Sequence, residues 1–266
     1  RMDRYLSLVH LGISDELRDA LLALISVPID DARSAARKQR SRWEWTAYRP
    51  SVLRQTPCLA LRYAGDSIIC PLPALISERL SSGIFYDVAA DDGAVRDEIG
   101  RRFEDYCVSV LSLTQRTLIF SREHSYKKRK GEIRSPDILL GDANCRWALV
   151  ECKATRMSFS ARYSDDFENE RGYADIAKGV FQIWRYVAHC RLGLAGDGVT
   201  SNCVGVVLTL DNWMLMGAGD TYDKIFQAAL ELSLQKGKEI TTEDQIPIVF
   251  CQINEWEGLL TSSSLS

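Results

Sequence analysis

Two carboxylates and one amine lie in a short stretch near the middle of the 266-residue sequence. Asp137 follows Pro136, and a single residue separates Glu151 from Lys153. Carboxylate oxygens are preferred ligands of Mg²⁺ and Mn²⁺. A divalent cation polarises a phosphoryl oxygen and lowers the pKa of bound water. An amine beside it can hold or deprotonate that water, or offset charge in the transition state. These residue types therefore suit hydrolysis of a phosphate ester.

Two apolar strands are predicted to position these three side chains. The segments over about 136–140 and 147–152 are apolar, and a four-residue turn-forming segment joins them, which indicates a hairpin. Side chains at i and i+2 of a strand lie on the same face, so we expect Glu151 and Lys153 to project together. Asp137 is expected to join them across the hairpin. The three groups would then meet at one end of a sheet.

The elements around this hairpin predict a mixed α/β domain, with helices on both sides of a central sheet. Their order is α-β-β-β-α-β, followed by a further helix and strand. The predicted elements are a helix over 94–113, a strand over 117–121, the two hairpin strands, a helix over 173–191, a strand over 203–210, a helix over 221–236 and a strand over 246–251 that completes the chain.

A turn signal near residue 90 predicts a domain boundary, which gives an N-terminal module over 1–90 and a second domain over 91–266. The N-terminal module is expected to be mostly helical and to contain a hairpin, with Ser14 capping a short helix. Trp43 and Trp45 follow a basic stretch and either stack on bases or pack against the main domain. The predicted elements are helices over 4–26, 31–45 and 74–81 and hairpin strands over 58–63 and 67–70.

The paired motifs Pro136-Asp137 and Glu151-Cys152-Lys153 resemble those of the PD-(D/E)xK nuclease superfamily. The predicted order of helices and strands is also similar to that family, over slightly less than half of the chain. The resemblance implies a restriction-endonuclease-like αβββαβ core and metal-dependent hydrolysis of DNA. It also implies that Asp137, Glu151 and the backbone carbonyl of Cys152 hold Mg²⁺ or Mn²⁺, and that Lys153 serves the attacking water.

Gln182 and Tyr186 are spaced to share one face of the predicted helix over 173–191. This spacing resembles the extra QxxxY motif of the RecB-type branch, which implies that both residues position the metal site or the DNA. The alternative is a surface Gln and a core Tyr. Glu104 matches the place of a helical Glu that reaches the metal in family members, and a salt bridge to Arg101 is the alternative for it.

Basic residues near the predicted hairpin are candidates for binding DNA phosphates, which gives affinity without sequence information. A solvated charged surface is the alternative interpretation. A polar loop over about 156–171 is expected to close on the substrate. The candidate phosphate-binding residues are Lys127, Lys128, Arg129, Lys130, Arg134 and Lys178.

Composition excludes several other classes of protein. The net charge is −3, from 33 Lys and Arg against 36 Asp and Glu, so any attraction to nucleic acid must be local. The eight cysteines are scattered without a CxxC pair, which predicts a reducing, cytoplasmic location and argues against zinc or iron–sulfur sites. No Walker A loop is present, so we expect no nucleotide cofactor. Apolar runs of about ten residues, and the absence of a secretion signal at the start, predict neither a membrane span nor export.

The leading hypothesis is a Mg²⁺-dependent deoxyribonuclease that acts in DNA defence, restriction or repair. The sequence leaves open whether it is an endonuclease or an exonuclease, and whether it works as a homodimer or within a larger assembly. The main alternative is a catalytically silent module that uses the same fold to bind nucleic acid or to assemble with other proteins. A ribonuclease, or an unrelated α/β protein with accidental motifs, also remains open.

Overall fold

The computed structural model describes most of the chain, and the described residues divide into two compact units. The first unit covers residues 1–95 and the second covers 96–266. The sequence-predicted boundary lies a few residues earlier, near residue 90. The described residues are 11–42, 51–61, 67–83, 85, 93–128, 131–156, 171–211, 219–236 and 240–262.

The first unit contains a three-stranded sheet and helices. Strand β1 pairs in parallel with β2, and β2 pairs antiparallel with β3. The predicted hairpin over 58–70 is therefore confirmed, whereas β1, which is three residues long and ends in proline, was not predicted. Trp43 and Trp45 lie outside the described residues. The elements are α1 (Asp15–Leu24), β1 (Ser26–Pro28), α2 (Ile29–Arg42), β2 (Cys58–Leu61), β3 (Ser67–Ile69) and α3 (Ala74–Glu78).

Helix α1 begins where the sequence predicts a capped start. The Ser14 side chain accepts a hydrogen bond from the Leu17 N–H at 3.2 Å. This bond satisfies one of the amides that a helix leaves unpaired at its first turn. Asp15 and Glu16 place negative charge at the positive end of the helix dipole. The prediction that Ser14 caps a short helix is confirmed.

The chain from residue 93 onward forms a larger mixed α/β arrangement, so the predicted fold class is confirmed at that level. Each of its helices begins and ends within two residues of a predicted segment, except the last, which was not predicted. The elements are α4 (Gly93–Thr114), β4 (Phe120–Arg122), β5 (Ser125–Lys128), β6 (Gly131–Arg134), β7 (Ile138–Asp142), β8 (Cys145–Lys153), α5 (Arg171–Arg191), β9 (Val199–Thr209), α6 (Gly219–Lys236), β10 (Ile248–Gln252) and α7 (Ile253–Ser262).

Strand β8 lies at the centre of a five-stranded sheet with the order β10-β9-β8-β7-β4. It pairs antiparallel with β7 and in parallel with β9, while β4 continues the antiparallel side and β10 the parallel side. The buried residues of β8 alternate between the faces of the sheet, as a strand covered on both sides requires. Leu149 belongs to one apolar cluster, whereas Ala148 and Val150 belong to the other.

Helices cover both faces of this sheet, as the sequence predicts. Helices α5 and α6 supply Ile176, Ile183 and Ile225 to the core on one face. Helices α4 and α7 supply Leu111 and Trp256 to the core on the other face. The carboxyl end of β8 therefore emerges between two apolar layers, and any charged side chain there is held in a largely dehydrated environment.

Three local predictions differ from the structure. The hairpin formed by β5 and β6 was not predicted, because its basic strands lack an alternating apolar pattern. The prediction that the strand over 246–251 completes the chain is wrong, since α7 follows β10 directly. The four-residue loop predicted between β7 and β8 is also shorter, because the strands extend to leave Ala143 and Asn144 as the turn.

Candidate active site

The hairpin of β7 and β8 brings Asp137 and Glu151 to the same edge of the sheet. Ile138 pairs with Val150, so Asp137 and Glu151 occupy the next position outward along the two strands. The Asp137 carboxylate accepts a hydrogen bond from the Cys152 N–H, with 2.6 Å between Oδ2 and the nitrogen. This bond fixes the carboxylate beside β8, just where β7 begins.

Glu151 and Lys153 form a buried ion pair on one face of β8. The Lys153 Nζ lies 2.6 Å from Glu151 Oε1, and the side chains are 15% and 2% exposed. The pairing follows from the strand geometry, because residues at i and i+2 project together. Removing two charged groups from water is costly unless each is paired, so the pair requires the remaining polar atoms nearby to be satisfied as well.

Helix α5 supplies a second partner to the amine. The Lys153 Nζ also donates a hydrogen bond to Gln182 Oε1 at 3.0 Å. An ammonium group has three donors, and these two bonds aim two of them at acceptors of known position. Gln182 is therefore brought together with the two carboxylates and the lysine.

One oxygen of Glu151 has no partner among the residues that the structure describes. Glu151 Oε2 is buried and accepts no hydrogen bond within the described part of the chain. Buried carboxylate oxygens are almost always satisfied in folded proteins, because an unmet acceptor retains the cost of dehydration. This oxygen therefore marks a position where a donor or a cation would be stabilising.

The backbone carbonyl of Cys152 points towards the same edge. In a strand, the N–H and C=O of one residue lie on the same side, and successive residues alternate. The Lys153 carbonyl accepts a bond from Leu210 after β9, whereas the Cys152 N–H points the other way, to Asp137. The Cys152 carbonyl consequently lies on the Asp137 side of the strand. The Cys152 side chain forms a hydrogen bond with the Cys107 thiol. That hydrogen bond, and then burial, raise the pKa of Cys152.

The crowding of charges perturbs the protonation of the cluster. Burial, and then the neighbouring Glu151, raise the pKa of Asp137 to about 8, while Lys153 and the Cys152 N–H oppose the shift. Burial disfavours the charged form of Lys153, but the carboxylates of Glu151 and Asp137 outweigh it and raise the pKa of the amine. Lys153 is therefore held as an ammonium ion, whereas Asp137 favours its protonated form at neutral pH when no cation is bound.

Two further carboxylates lie near this cluster. Glu104 on α4 lies 3.4 Å from the Arg122 guanidinium, and its charge adds to the rise in the pKa of Asp137. Among the described residues, the alternative salt bridge between Glu104 and Arg101 does not form, because Arg101 bonds Glu98 and Asp105. The structure thus places Glu104 within electrostatic reach of Asp137.

Glu123 is the second of these carboxylates, and no motif in the sequence predicts it. Its N–H donates to the Asp137 carbonyl at 2.9 Å, and its carboxylate lies 3.2 Å from Arg134. Burial raises the pKa of Glu123, and the charges of Glu104 and Glu151 contribute in the same direction. Glu123 belongs to no motif, and only its position opposite Asp137, directly after β4, brings it to the site.

The structure separates Tyr186 from the other candidate residues. Its ring is fully buried and packs edge-on against Tyr126, at 5.9 Å between the ring centroids. Its hydroxyl donates to Asp197, which is paired with Arg146 at the opposite end of β8. Burial, followed by this hydrogen bond, raises the pKa of Tyr186. Gln182 and Tyr186 therefore contact different clusters, although they share one helix.

The candidate phosphate-binding residues have different positions. Arg134 is 73% exposed and pairs with Glu123, next to the carboxylates. Lys178 is exposed on α5, one turn before Gln182. Lys127 and Lys128 lie on strand β5, whereas Arg129, Lys130 and most of the predicted closing loop (157–170) lie outside the described residues.

Searches of family models, curated proteins and solved structures find no match to this chain. Within the described residues, no group of three or more His, Cys, Asp or Glu side chains has the arrangement of a preformed metal site. Over the same part of the chain, no helix has the length and apolar character required to cross a membrane.

Proposed function

We propose that this chain is a metal-dependent deoxyribonuclease that hydrolyses phosphodiester bonds, on a restriction-endonuclease-like core. The observation that carries the proposal is the buried Glu151–Lys153 pair beside Asp137, at the ends of two adjacent strands. The element order supports it as well. A helix precedes three antiparallel strands, and a helix then leads to a strand parallel to the third, with the β5–β6 hairpin as an insertion.

The oxygen atoms at this edge fit a hard divalent cation such as Mg²⁺ or Mn²⁺. Asp137, Glu151 and the Cys152 carbonyl would hold it, and Glu104 lies near enough to assist electrostatically. The unpartnered Glu151 Oε2 is the strongest sign of fit, since a cation would satisfy it. When bound, the cation would supply Lewis-acid polarisation of a phosphoryl oxygen and a more acidic water.

The residues of the chain have separable tasks in this proposal. Lys153 directs two of its donors to Glu151 and Gln182, so its third donor can meet a phosphate oxygen and offset the charge that develops there. Gln182 keeps the ammonium from rotating away. Asp137 is oriented by the Cys152 N–H, so its carboxylate does not have to be reorganised when substrate arrives.

The flanking cations favour a polyanionic substrate, and DNA is the one that we propose. Arg134 is exposed and pairs with Glu123, and Lys178 is exposed on α5 one turn before Gln182. Such residues bind phosphates without reading the base sequence. Positive charge beside the cluster also lowers the repulsion between the acidic site and a polyanion. Action in defence, restriction or repair, and a homodimer or larger assembly, stay predictions.

A catalytically silent nucleic-acid-binding module is the second candidate, and two observations favour it. The Lys153 ammonium already forms an ion pair with Glu151 at 2.6 Å, which occupies one of the carboxylate oxygens. The described residues also contain no preformed set of three metal-binding side chains. Such a protein would bind DNA through Arg134 and Lys178 without needing a divalent cation. Metal binding therefore separates the two functions.

The decisive experiment measures cleavage of linear, circular and single-stranded DNA by the purified protein with Mg²⁺, Mn²⁺ or EDTA. Asp137→Ala and Lys153→Ala are expected to lower the rate by about 10³-fold or more, since the first removes a ligand of the proposed cation and the second removes the ammonium that would meet the phosphate. Asp223→Asn, an exposed change on α6, is the matched control and should cleave like the wild type. Survival of circular DNA would indicate an exonuclease.

Two results would contradict the nuclease assignment. The first is cleavage that persists in both Asp137→Ala and Lys153→Ala at the wild-type rate. The second is a folded wild-type protein that neither cleaves DNA nor binds Mg²⁺ or Mn²⁺ by titration calorimetry, while still binding DNA. That second result would establish the binding module instead.

A further inference from the structure

Helix α5 passes very close to the buried ion pair at Gly179. A Cβ atom placed on Gly179 would lie 3.2 Å from Cε of Lys153, 3.4 Å from a methyl of Val207 and 3.5 Å from Cγ of Glu151. The nearest of these distances is shorter than an ordinary carbon–carbon contact, which is about 3.5–4.0 Å. The absence of a side chain at this position is therefore what lets the helix approach β8 and β9 so closely.

The Lys153 side chain has little freedom to move away from such a contact. Its Nζ is fixed by Glu151 at 2.6 Å and by Gln182 at 3.0 Å. Glu151 and Val207 are themselves buried in the sheet, so they cannot open space by rotating into solvent. Any atom added at Gly179 must therefore displace Cε of Lys153, and this shifts the ammonium relative to one or both of its acceptors.

We propose that Gly179 is a positioning residue that sets where the Lys153 ammonium stands in the active site. It touches no reacting atom, and it acts by leaving room for the lysine stem between α5 and the sheet. This inference rests on the proposed nuclease function only for its kinetic consequence. The placement of the ammonium by Gly179 is a property of the folded chain with or without DNA.

The rival explanation is ordinary helix-to-sheet packing, in which Gly179 only avoids Val207. The two explanations differ in what a methyl group would do. If packing alone matters, Gly179→Ala lowers the free energy of unfolding and leaves the cleavage rate per folded molecule unchanged. If Gly179 positions Lys153, the rate per folded molecule falls although stability is nearly kept, because Ala favours a helix over Gly and offsets the crowding.

The test compares Gly179→Ala with Gly258→Ala in the full chain. Gly258 lies in helix α7, and a methyl group there meets no atom within 4 Å among the described residues beyond its own helix backbone and chain neighbours. Each variant is examined by thermal unfolding, by kcat and KM for DNA cleavage, and by the ¹H–¹⁵N signal of the Lys153 ammonium in ¹⁵N-lysine-labelled protein. Lys153→Met assigns that signal.

For Gly179→Ala we expect kcat to fall about tenfold with KM unchanged, because a displacement of a few tenths of an ångström misaligns a charge without removing substrate binding. The Tm should stay within about 2–4 °C of the wild type. The Lys153 ammonium signal should move or broaden. Gly258→Ala should match the wild type in rate and in signal.

A double variant, Gly179→Ala with Val207→Ala, separates the two contacts. It removes the Val207 methyls while keeping the contact with Lys153, so the altered signal and the reduced kcat should both remain. An unchanged ammonium signal in Gly179→Ala, or its restoration in the double variant, overturns the proposal. Wild-type protein that fails to cleave DNA would contradict the nuclease function alone, since the ammonium signal still decides the role of Gly179.

Discussion

Strand β8 carries a buried cluster of charges at each end, and the two clusters differ in how well they are satisfied. At its start, Arg146 pairs with Asp197 at 3.0 Å, and these side chains are 6% and 9% exposed. At its end, Lys153 pairs with Glu151 at 2.6 Å. The two clusters are about 23 Å apart along the strand. Both ion pairs involve the same strand, so the difference between them lies in the groups that bond them.

The charged groups of the cluster at the start of β8 have several hydrogen-bond partners within the protein. The Arg146 guanidinium also donates to the carbonyls of Gly141 and Leu139, and the Tyr186 hydroxyl donates to Asp197. A buried charge whose hydrogen-bonding capacity is used in this way holds chain segments together. Here it ties β8 to α5 and to the segment before β9, which is a structural task.

The cluster at the end of β8 has too much negative charge and too few donors. The Lys153 ammonium bonds Glu151 and Gln182, while Asp137 accepts only the Cys152 N–H among the bonds of the described residues. One Glu151 oxygen has no partner in that part of the chain, and the pKa of Asp137 is raised to about 8. Perturbed and incompletely satisfied groups of this kind are concentrated at functional sites. The satisfied ion pair at the start of β8 has a structural role, whereas the incompletely satisfied pair at its end has an acceptor that a donor or a cation could meet.

The largest expected effect is a dependence of stability on pH that comes from Asp137. Its pKa is 3.8 in an ordinary environment and about 8 in the fold, so the folded state binds the proton more tightly than the unfolded state. The associated stability is fully present below pH 4 and is lost as the pH rises towards 8. In EDTA, Asp137→Asn should abolish this loss, which is on the order of several kcal/mol.

Urea unfolding at several pH values between 4 and 8 measures this effect. The difference in free energy of unfolding between Asp137→Asn and the wild type should grow in favour of the variant as the pH rises. Asp223→Asn, on the exposed face of α6, serves as the control and should follow the wild-type curve. Parallel curves for Asp137→Asn and the wild type would show that the folded state does not retain a proton on Asp137.

The next effect should appear at the other end of the strand. Asp197→Asn keeps the shape of the side chain but leaves the Arg146 guanidinium buried without its carboxylate. Removal of one partner from a buried pair costs about 3–5 kcal/mol. We expect that loss in the free energy of unfolding, with kcat per folded molecule unchanged, because the proposed active site is at the distant end of β8.

Cleavage assays on the folded fraction and urea unfolding of Asp197→Asn check both parts of this expectation. Arg191 and Asp244 offer a matched control, since Asp244 is buried and its carboxylate also pairs with an arginine, at 2.8 Å. Asp244→Asn should lower stability as well and spare kcat. A tenfold loss of kcat in stable Asp197→Asn protein would show that the two ends of β8 are coupled.

The sequence predicts the fold best where a long segment carries one clear periodicity. Helices α4 and α5 were placed within two residues, because their apolar stripes run for about five turns. The β7–β8 hairpin followed from two apolar runs around a short turn. Strands β5 and β6 escaped prediction because their pairing is stabilised by the packing of Tyr126 and Ile133 on α5, which local composition does not reveal.

The residues of the candidate site also fall into two groups: those that local sequence predicts and those that depend on tertiary contacts. Asp137, Glu151 and Lys153 are close in sequence and share one hairpin, so strand geometry was enough to bring them together. Glu123 depends on β4 lying alongside β7, and Gly179 depends on α5 lying against β8. A single sequence does not contain that information. The contact between Tyr186 and Asp197 is likewise tertiary, and helical spacing alone associated Tyr186 with Gln182 instead.

The smallest expected effect concerns Tyr186, and it tests the division between the two clusters most directly. Tyr186→Phe removes the hydroxyl that donates to Asp197 and leaves the buried ring in place. We expect the free energy of unfolding to fall by about 1.5–3 kcal/mol, as for a hydrogen bond to a charged group, with kcat and KM unchanged. Gln182→Ala is the comparison on the same helix and should lower kcat, since it removes an acceptor of the Lys153 ammonium. Cleavage and urea-unfolding measurements on both variants show to which cluster Tyr186 belongs. A tenfold loss of kcat in folded Tyr186→Phe would mean that Tyr186 acts in the proposed active site.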